Sequence, residues 1–226
     1  MSVCFAPCPV VFDLDGTLID SAPDIHACVN AALREHHLPL LTLDQVRSFV
    51  GGGVDMLWNK IIGALGIDHT AKNELVATFM ARYHHATQLT RVFPGVIDAL
   101  NALADRGYSL GICTNKPEAV TNTILEHFGI QHLFGVVIGG DTLPQRKPDP
   151  APLIAALTAL GADPVRPHGL FVGDSEFDAN CAAAVPVPLL LYAKGYRHTP
   201  LEDLPHRAQF AEFEALPALV ESISLV

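Results

Sequence analysis

Apolar residues fall in two rhythms along the chain. Short, nearly unbroken apolar runs occur at 9–14 (PVVFDL), 108–113 (YSLGIC), 135–138 (GVVI), 168–172 (HGLFV) and 187–192 (VPLLLY). Runs of that kind suit strands buried on both faces of a sheet. Between and after them the spacing predicts helices over 94–106, opened by Pro94-Gly95, and over 117–128, 150–160, 176–184 and 213–222. Strands alternating with helices of about 10–12 residues mark βαβ units and a parallel sheet.

The stretch between Asp20 and Arg91 breaks this rhythm. It contains no convincing strand, and its pattern predicts helices over 21–38, 42–49, 54–65 and 70–90. Ser21 can cap the first of these, Pro23 fits its first turn and Pro39 ends it. Gly51-Gly52-Gly53 and Gly66 separate the others. The expected fold class is α/β, a doubly wound, Rossmann-like parallel sheet. Residues 1–20 and 91–226 form the core domain, and residues 21–90 form an all-helical cap domain inserted after the first strand. A hinge is expected near Asp20 and around 91–94.

Composition narrows the setting. Half of the 226 residues are apolar, enough for a sizeable core, and the net charge is −10. Such a field does not favour nucleic acid or an anionic membrane as partner, and no run of 18 apolar residues predicts a membrane span. Residues 1–12 lack a positively charged start and lead straight to Asp13 and Asp15, so they read as the approach to a first strand and not as a signal peptide. The cysteines, Cys4, Cys8, Cys28, Cys113 and Cys181, are odd in number and scattered, which predicts free thiols and a cytoplasmic location. Cys4 and Cys8 lack a second pair to complete a metal site and read as small apolar residues. Oligomeric state leaves no signal.

Four segments carry candidate chemistry, each following a predicted strand or lying in a loop, where open α/β sheets bind ligands. They are 13–18 (DLDGTL), Thr114-Asn115-Lys116, Lys147-Pro148, and Gly173-Asp174-Ser175 with Asp178. Asp13 and Asp15, two apart at a strand end, project in the same general direction. One carboxylate can attack phosphorus, and the other can protonate a leaving oxygen and later deprotonate water. Gly16 permits a sharp turn. Thr114 and the following N–H groups can grip phosphate oxygens. Each segment also has a plain alternative: a turn or metal loop at 13–16, a helix cap at Thr114, a solvated Lys147, a helix-dipole acid at Asp178. Asp13, Asp15, Asp174 and Asp178 gathered in one pocket would repel, raise one another's pKa and call for a hard cation such as Mg²⁺, with Lys147 supplying further positive charge.

In order and spacing these segments resemble the haloacid dehalogenase-like (HAD) superfamily of phosphohydrolases over essentially the whole chain, most specifically in DLDGTLID at 13–20. The resemblance implies that Asp13 is nucleophile and metal ligand, and that Asp15 is the general acid/base whose backbone carbonyl also touches the metal. It further implies that Thr114, Asn115 and Lys147 bind the phosphoryl group, and that Asp174 ligates Mg²⁺, with Asp178 as a further ligand or as a partner of one. An aspartate at position 15 favours phosphate esters over halogenated acids, and Thr17 leans towards hydrolysis over sugar-phosphate isomerisation. Arg47 with Gly51-Gly52-Gly53, and Lys194-Gly195-Tyr196, are similar to the phosphoglycolate phosphatase group of that superfamily. The implied partner is a small phosphorylated metabolite, with 2-phosphoglycolate first. Thr17, Arg47 and Lys116 are candidate substrate residues, Arg47 and Lys116 for a substrate carboxylate; a solvated helix residue is the plain reading of Arg47. The cap histidines, His26, His36, His37, His69, His84 and His85, read as solvated or partner-facing, and Trp58 and Met56 as packing residues. A sugar-phosphate mutase of the same fold and a phospho-accepting receiver module are the alternatives.

Overall fold

The computed structural model describes residues 8–185 and 187–224. Cys4 and the reading of residues 1–7 lie outside the described residues; Cys8, Cys28, Cys113 and Cys181 are free thiols. In chain order the elements are β1 (Val10–Phe12), β2 (Ile19–Asp20), α1 (Ala22–Glu35), α2 (Leu43–Arg47), α3 (Gly53–Leu65), α4 (Lys72–Tyr83) and β3 (Arg91–Val92). There follow α5 (Val96–Asp105), β4 (Leu110–Cys113), α6 (Glu118–His127), β5 (Phe134–Ile138), α7 (Ala151–Ala159), β6 (Leu170–Gly173), α8 (Glu176–Ala184), β7 (Leu189–Tyr192), β8 (Ala208–Phe210) and α9 (Leu216–Ser224).

Six strands form one parallel sheet in the order β5-β4-β1-β6-β7-β8. The chain steps outward from β1 through β4 to β5, then returns to the other side of β1 for β6, so the order reverses at β1. Ligands of open α/β sheets bind at the carboxyl ends of the strands beside such a reversal. The strands are apolar throughout because both faces are covered. Val10 and Phe12 join a core with Leu100, Leu103, Ile124 and Val220 from α5, α6 and α9. Val11, between them in sequence, points to the opposite face and packs with Leu153, Leu157, Ala179 and Ala182 from α7 and α8.

Four features depart from the expected elements. The helix expected over 70–90 is a single 3₁₀ turn (His69–Ala71) followed by α4, which stops at Tyr83. Beyond it the chain is captured by buried Asp24 in the first turn of α1, whose Oδ2 accepts from Leu89 N (3.0 Å), Thr90 N (2.7 Å) and Thr90 Oγ1 (2.6 Å). Three bonds to one carboxylate oxygen reward an extended backbone there over another helical turn. The helix expected over 42–49 spans only Leu43–Arg47, opened by a reciprocal Thr42–Gln45 cap. β2 and β3 pair antiparallel, Asp20 opposite Arg91, where no strand was expected. β8 was also unexpected: it is a short edge strand that buries only Phe210 well, too brief for a periodic signal.

Residues from Ala22 to Tyr83 contribute only helices. Their core joins Val29 and Leu33 of α1, Trp58 and Ile61 of α3, and Leu75 and Phe79 of α4. Trp58 and Phe79 meet edge to face at 5.8 Å, a favoured aromatic geometry.

Candidate active site

Asp13 is the first residue past β1, and its N–H donates to Val172 O on β6 (2.8 Å). The chain then turns through Gly16, at φ +87°, where a Cβ would lie 2.6 Å from Asp174 Oδ2 and 2.9 Å from the Tyr196 ring. Only glycine suits both that dihedral and that approach. The turn aims the Thr17 hydroxyl at Asp174 Oδ1, to which it donates at 2.6 Å. Tyr196 N donates to the other Asp174 oxygen at 2.7 Å. Asp174 is thus fixed from both sides one residue past β6.

Asp178 lies in the first turn of α8, closing a capping box with Ser175. Its Oδ2 accepts from Asp174 N (3.1 Å), Ser175 N (3.0 Å) and Ser175 Oγ (2.7 Å). Its Oδ1 accepts from Lys147 Nζ at 2.6 Å. Lys147 Nζ also sits 2.9 Å from Asp13 Oδ1. That contact is an ion pair without hydrogen-bond alignment, so Asp13 Oδ1 is a buried oxygen lacking a directed donor.

Burial and charge set the electrostatics. Burial pushes the Asp13 carboxyl up to about 7, with the Lys147 ammonium pulling against it and Asp178 adding to it. Burial, then the negative charges of Asp178 and Asp13, hold Asp174 well above the usual carboxylate range. Burial alone would depress Lys147, but Asp13 and Asp178 outweigh it and keep it an ammonium. Three acids against one lysine leave a site short of positive charge. Asp13, Asp174 and Asp178 each offer a ligand oxygen, all within 4.8 Å of one another. A hard divalent cation with oxygen ligands fits this donor set and the orphaned Asp13 oxygen. Asp13 and Asp174 have acceptor capacity to spare. Asp178 already takes four hydrogen bonds and acts first as the brace for Lys147 and the 174–175 backbone.

A second group adjoins the first. Lys116 Nζ donates to Asp15 Oδ1 (3.0 Å), Asp15 Oδ2 (3.2 Å) and the Tyr83 hydroxyl (2.5 Å). Ser21 Oγ donates to Asp15 Oδ1 as well. Asp13, Asp15, Thr114, Asn115 and Lys116 line a common, narrow cavity of about 30 Å³. Its far wall is Ile25, Val50, Val54, Leu57 and Tyr83 from the helical segment.

Several expected residues serve differently from the expectation. The Thr17 hydroxyl is spent on Asp174, so Thr17 positions a carboxylate instead of meeting substrate. The Asn115 side chain is a brace: its amide nitrogen donates to Gly51 O (2.9 Å) and Lys147 O (3.0 Å), and its oxygen accepts from Lys147 N (3.0 Å). Arg47 does not line the cavity. It pairs with Asp20 (3.4 Å) and Asp44 (3.7 Å) and faces Tyr196 across a separate surface hollow. His26 bonds Asn30 and Leu41 O, and His36 bonds Thr78. Among the described residues no group of cap histidines reaches metal-ligand geometry.

Tyr83 was missed. It ends the stripe Leu75, Phe79, Tyr83 on one face of α4, and a single hydroxyl closing an apolar stripe was the available clue. Ser21, read only as a helix cap, instead turns its hydroxyl to Asp15.

A family model for haloacid dehalogenase-like hydrolases matches residues 10–191. The chain belongs to this family. Several curated phosphoglycolate phosphatases are similar along nearly their whole length. One from Cereibacter sphaeroides (strain ATCC 17025 / ATH 2.4.3) is 46% identical over 217 residues, covering 95% of this chain and 98% of that protein. One from Rhodobacter capsulatus is 43% identical over 214 residues, covering 94% and 96%. The crystal structure of a predicted phosphoglycolate phosphatase from Haemophilus somnus 129PT superposes with a TM-score of 0.88 at 30% identity, covering 96% of this chain and 99% of that one. A haloacid dehalogenase-like family protein from Streptococcus pneumoniae, 23% identical, shares the fold with a TM-score of 0.80 over 95% and 98%. No helix among the described residues of this hydrolase is long and apolar enough to cross a membrane.

The raised acids give a pH prediction for the metal-free hydrolase. Asp13 and Asp174 hold protons in the folded state at a pH where the unfolded chain has released them. Stability therefore falls as pH rises from the ordinary carboxylate value through the folded one, about 4 to 7 for Asp13. Thermal melts in EDTA should show a lower midpoint at pH 8 than at about pH 5, and Asp13→Asn should flatten that slope. A midpoint rising steadily to pH 8 would contradict the assignment.

Proposed function

We propose that this hydrolase is a Mg²⁺-dependent phosphatase that transfers the phosphoryl group of a small metabolite, 2-phosphoglycolate foremost, to Asp13 and then to water. The observation that carries this reading is the buried set of Asp13, Asp174 and Asp178 around Lys147 at the reversal of the sheet. The relatives named as phosphoglycolate phosphatases support the substrate, and the 30% identical structure supports it across the whole fold.

On this reading Asp13 and Asp174 hold the cation, with Asp178 bracing Lys147. Bound Mg²⁺ supplies positive charge that allows an anionic carboxylate to approach an anionic phosphate. Asp13 attacks phosphorus, the ester oxygen leaves with a proton from Asp15, and the acyl phosphate forms on Asp13. Asp15 then takes a proton from the water that cleaves the acyl phosphate, releasing phosphate and restoring Asp13. Lys147 offsets charge on the transferring group, and the Thr114 hydroxyl with the adjacent backbone N–H groups orients it. Residues 1–20 and 91–226 act as the core domain. Residues 21–90 act as a helical cap whose wall shields the reacting atoms from bulk water.

Phosphate release from a panel of phosphorylated metabolites with Mg²⁺, ranked by kcat/KM, tests the reading. EDTA should abolish release and Mg²⁺ restore it. Ca²⁺ should restore it poorly, since its larger, looser shell misplaces the nucleophile. Isomerisation of glucose phosphates without phosphate release would favour a mutase, and a phosphoryl-enzyme lasting minutes to hours would favour a receiver module.

A further inference from the structure

The cavity beside Asp15 is chemically lopsided. Its lining contains one cationic side chain, Lys116, whose ammonium sits at the end where Asp15 meets the Tyr83 hydroxyl. Ile25, Val50, Val54 and Leu57 line the same cavity and bring no polar side-chain atoms. We propose that Lys116, held by Tyr83, is the specificity-determining residue of this site and selects phosphoesters whose leaving group carries a carboxylate one carbon from the ester carbon. The proposal rests on the phosphatase reading above and adds the determinant of substrate class.

Three observations support it. First, position: Lys116 Nζ lies 3.0 Å from the carboxylate assigned to protonate the leaving oxygen, so a charge carried three bonds beyond that oxygen falls within its reach. Second, valence: an ammonium has three donors, shared in the free protein between two Asp15 oxygens and Tyr83. The two bonds to Asp15 use one carboxylate in a forked contact, so one N–H can turn to a second carboxylate without losing Asp15. Third, exclusion: a sugar leaving group would bury hydroxyls against the apolar wall with no partner, a penalty of about tenfold or more for each unpaired group. A second phosphate would bring two charges to a single ammonium. A two-carbon acid meets one cation with one charge and puts its methylene against the wall.

Lys116 also touches Asp15, so a purely structural role has to be separated from recognition. The experiment compares 2-phosphoglycolate with 2-hydroxyethyl phosphate, which keeps the ester and replaces the carboxylate by a neutral hydroxymethyl group. For the wild-type protein with Mg²⁺, kcat/KM should favour 2-phosphoglycolate by about tenfold to a hundredfold, the worth of a charged hydrogen bond. In Lys116→Met the two values should converge, the carboxylated substrate losing more and chiefly through KM. Lys116→Arg should recover part of the preference, and Tyr83→Phe should weaken it.

Equal losses on both substrates in Lys116→Met would overturn the proposal, since lysine would then serve only to hold Asp15. Equal wild-type rates on both would also overturn it and leave the phosphatase reading standing. Should Lys116→Met fail to fold, Lys116→Arg and Tyr83→Phe carry the comparison: a weakened preference in both supports the proposal, and a preference unchanged in both overturns it. Calorimetric titration of Asp13→Asn with each compound gives a readout without turnover. Tighter binding of 2-phosphoglycolate that is lost when Lys116→Met is added to Asp13→Asn supports the proposal, and equal binding of the two compounds to Asp13→Asn refutes it. Failure of the wild type to release phosphate from any ester would instead sink the phosphatase reading.

Discussion

Asp13→Asn should release no phosphate above background while remaining folded. The carboxamide matches the carboxylate in shape but cannot attack phosphorus, so the covalent route closes. Loss of a nucleophile in covalent catalysts costs about 10⁴-fold or more in kcat. The fold should tolerate the change, because Asp13 N bonds β6 through the backbone and Lys147 keeps its bond to Asp178. The variant also removes one of three crowded acids, so metal-free melts at pH 8 should show equal or greater stability than wild type. Phosphate-release assays and thermal melts on one preparation check both halves. Turnover near the wild-type rate would refute the mechanism.

Lys147→Met should damage both rate and stability. Lys147 is 3% exposed, and its ammonium lies between Asp13 at 2.9 Å and Asp178 at 2.6 Å. Methionine fills much of the space but leaves Asp178 Oδ1 without its donor and removes the lysine from a three-acid cluster. Breaking a buried pair from one side costs about 3–5 kcal/mol. In metal-free urea melts the loss should be largest above about pH 7, where the acids are ionised, and smaller near pH 5, where protons replace the missing charge. Losing one preorganised charge on the transferring group should cost about 10²–10³-fold in kcat. A variant as stable as wild type at pH 8 would show that the cluster does not depend on this lysine.

The two effects differ because the residues occupy the same cluster for different reasons. Asp13 is tolerated there despite its cost, being held raised to about 7 by burial. Lys147 is the group that makes that burial bearable. A site of this kind trades stability for reactivity, and on the proposed reading a bound cation would add what one lysine cannot supply.

Much of this was legible in the chain. The five apolar runs predicted β1, β4, β5, β6 and β7 because a parallel sheet covered on both sides leaves no polar alternation to blur the signal. Asp13, Thr114 and Asp174 stood out because each stands at or just past the end of such a run, and the fold brings those strand ends side by side. Lys147 could be named from sequence, but its placement depends on Asn115 and Asp178, contacts made across 31 and 32 residues.

Less visible were features built from single long-range bonds. Nothing in 84–90 says that the helix has ended; Asp24, more than sixty residues earlier in sequence, decides it. Arg47 looked like a carboxylate ligand because arginine suits that role, whereas Asp20 and Asp44 occupy its guanidinium. Thr17 and Asn115 have side chains able to meet a phosphate, yet the turn geometry commits both to internal bonds. Side-chain type announces what a residue can bind; only the packed structure states whether that capacity is already used.

The pairing of β2 with β3 has a consequence for how this molecule can be altered. Asp20 and Arg91 are direct antiparallel partners, so their Cα atoms are about 5 Å apart, and residues 21–90 leave and rejoin the sheet at neighbouring points. A short hairpin turn could bridge that gap. Excising the segment would take Tyr83 and the apolar wall with it, while the ends of β1, β4 and β6 kept their places. Lys116, Asp13 and Asp15 would stay with the sheet, so excision separates the ammonium and the reacting carboxylates from the Tyr83 hydroxyl and the apolar lining that bound their cavity.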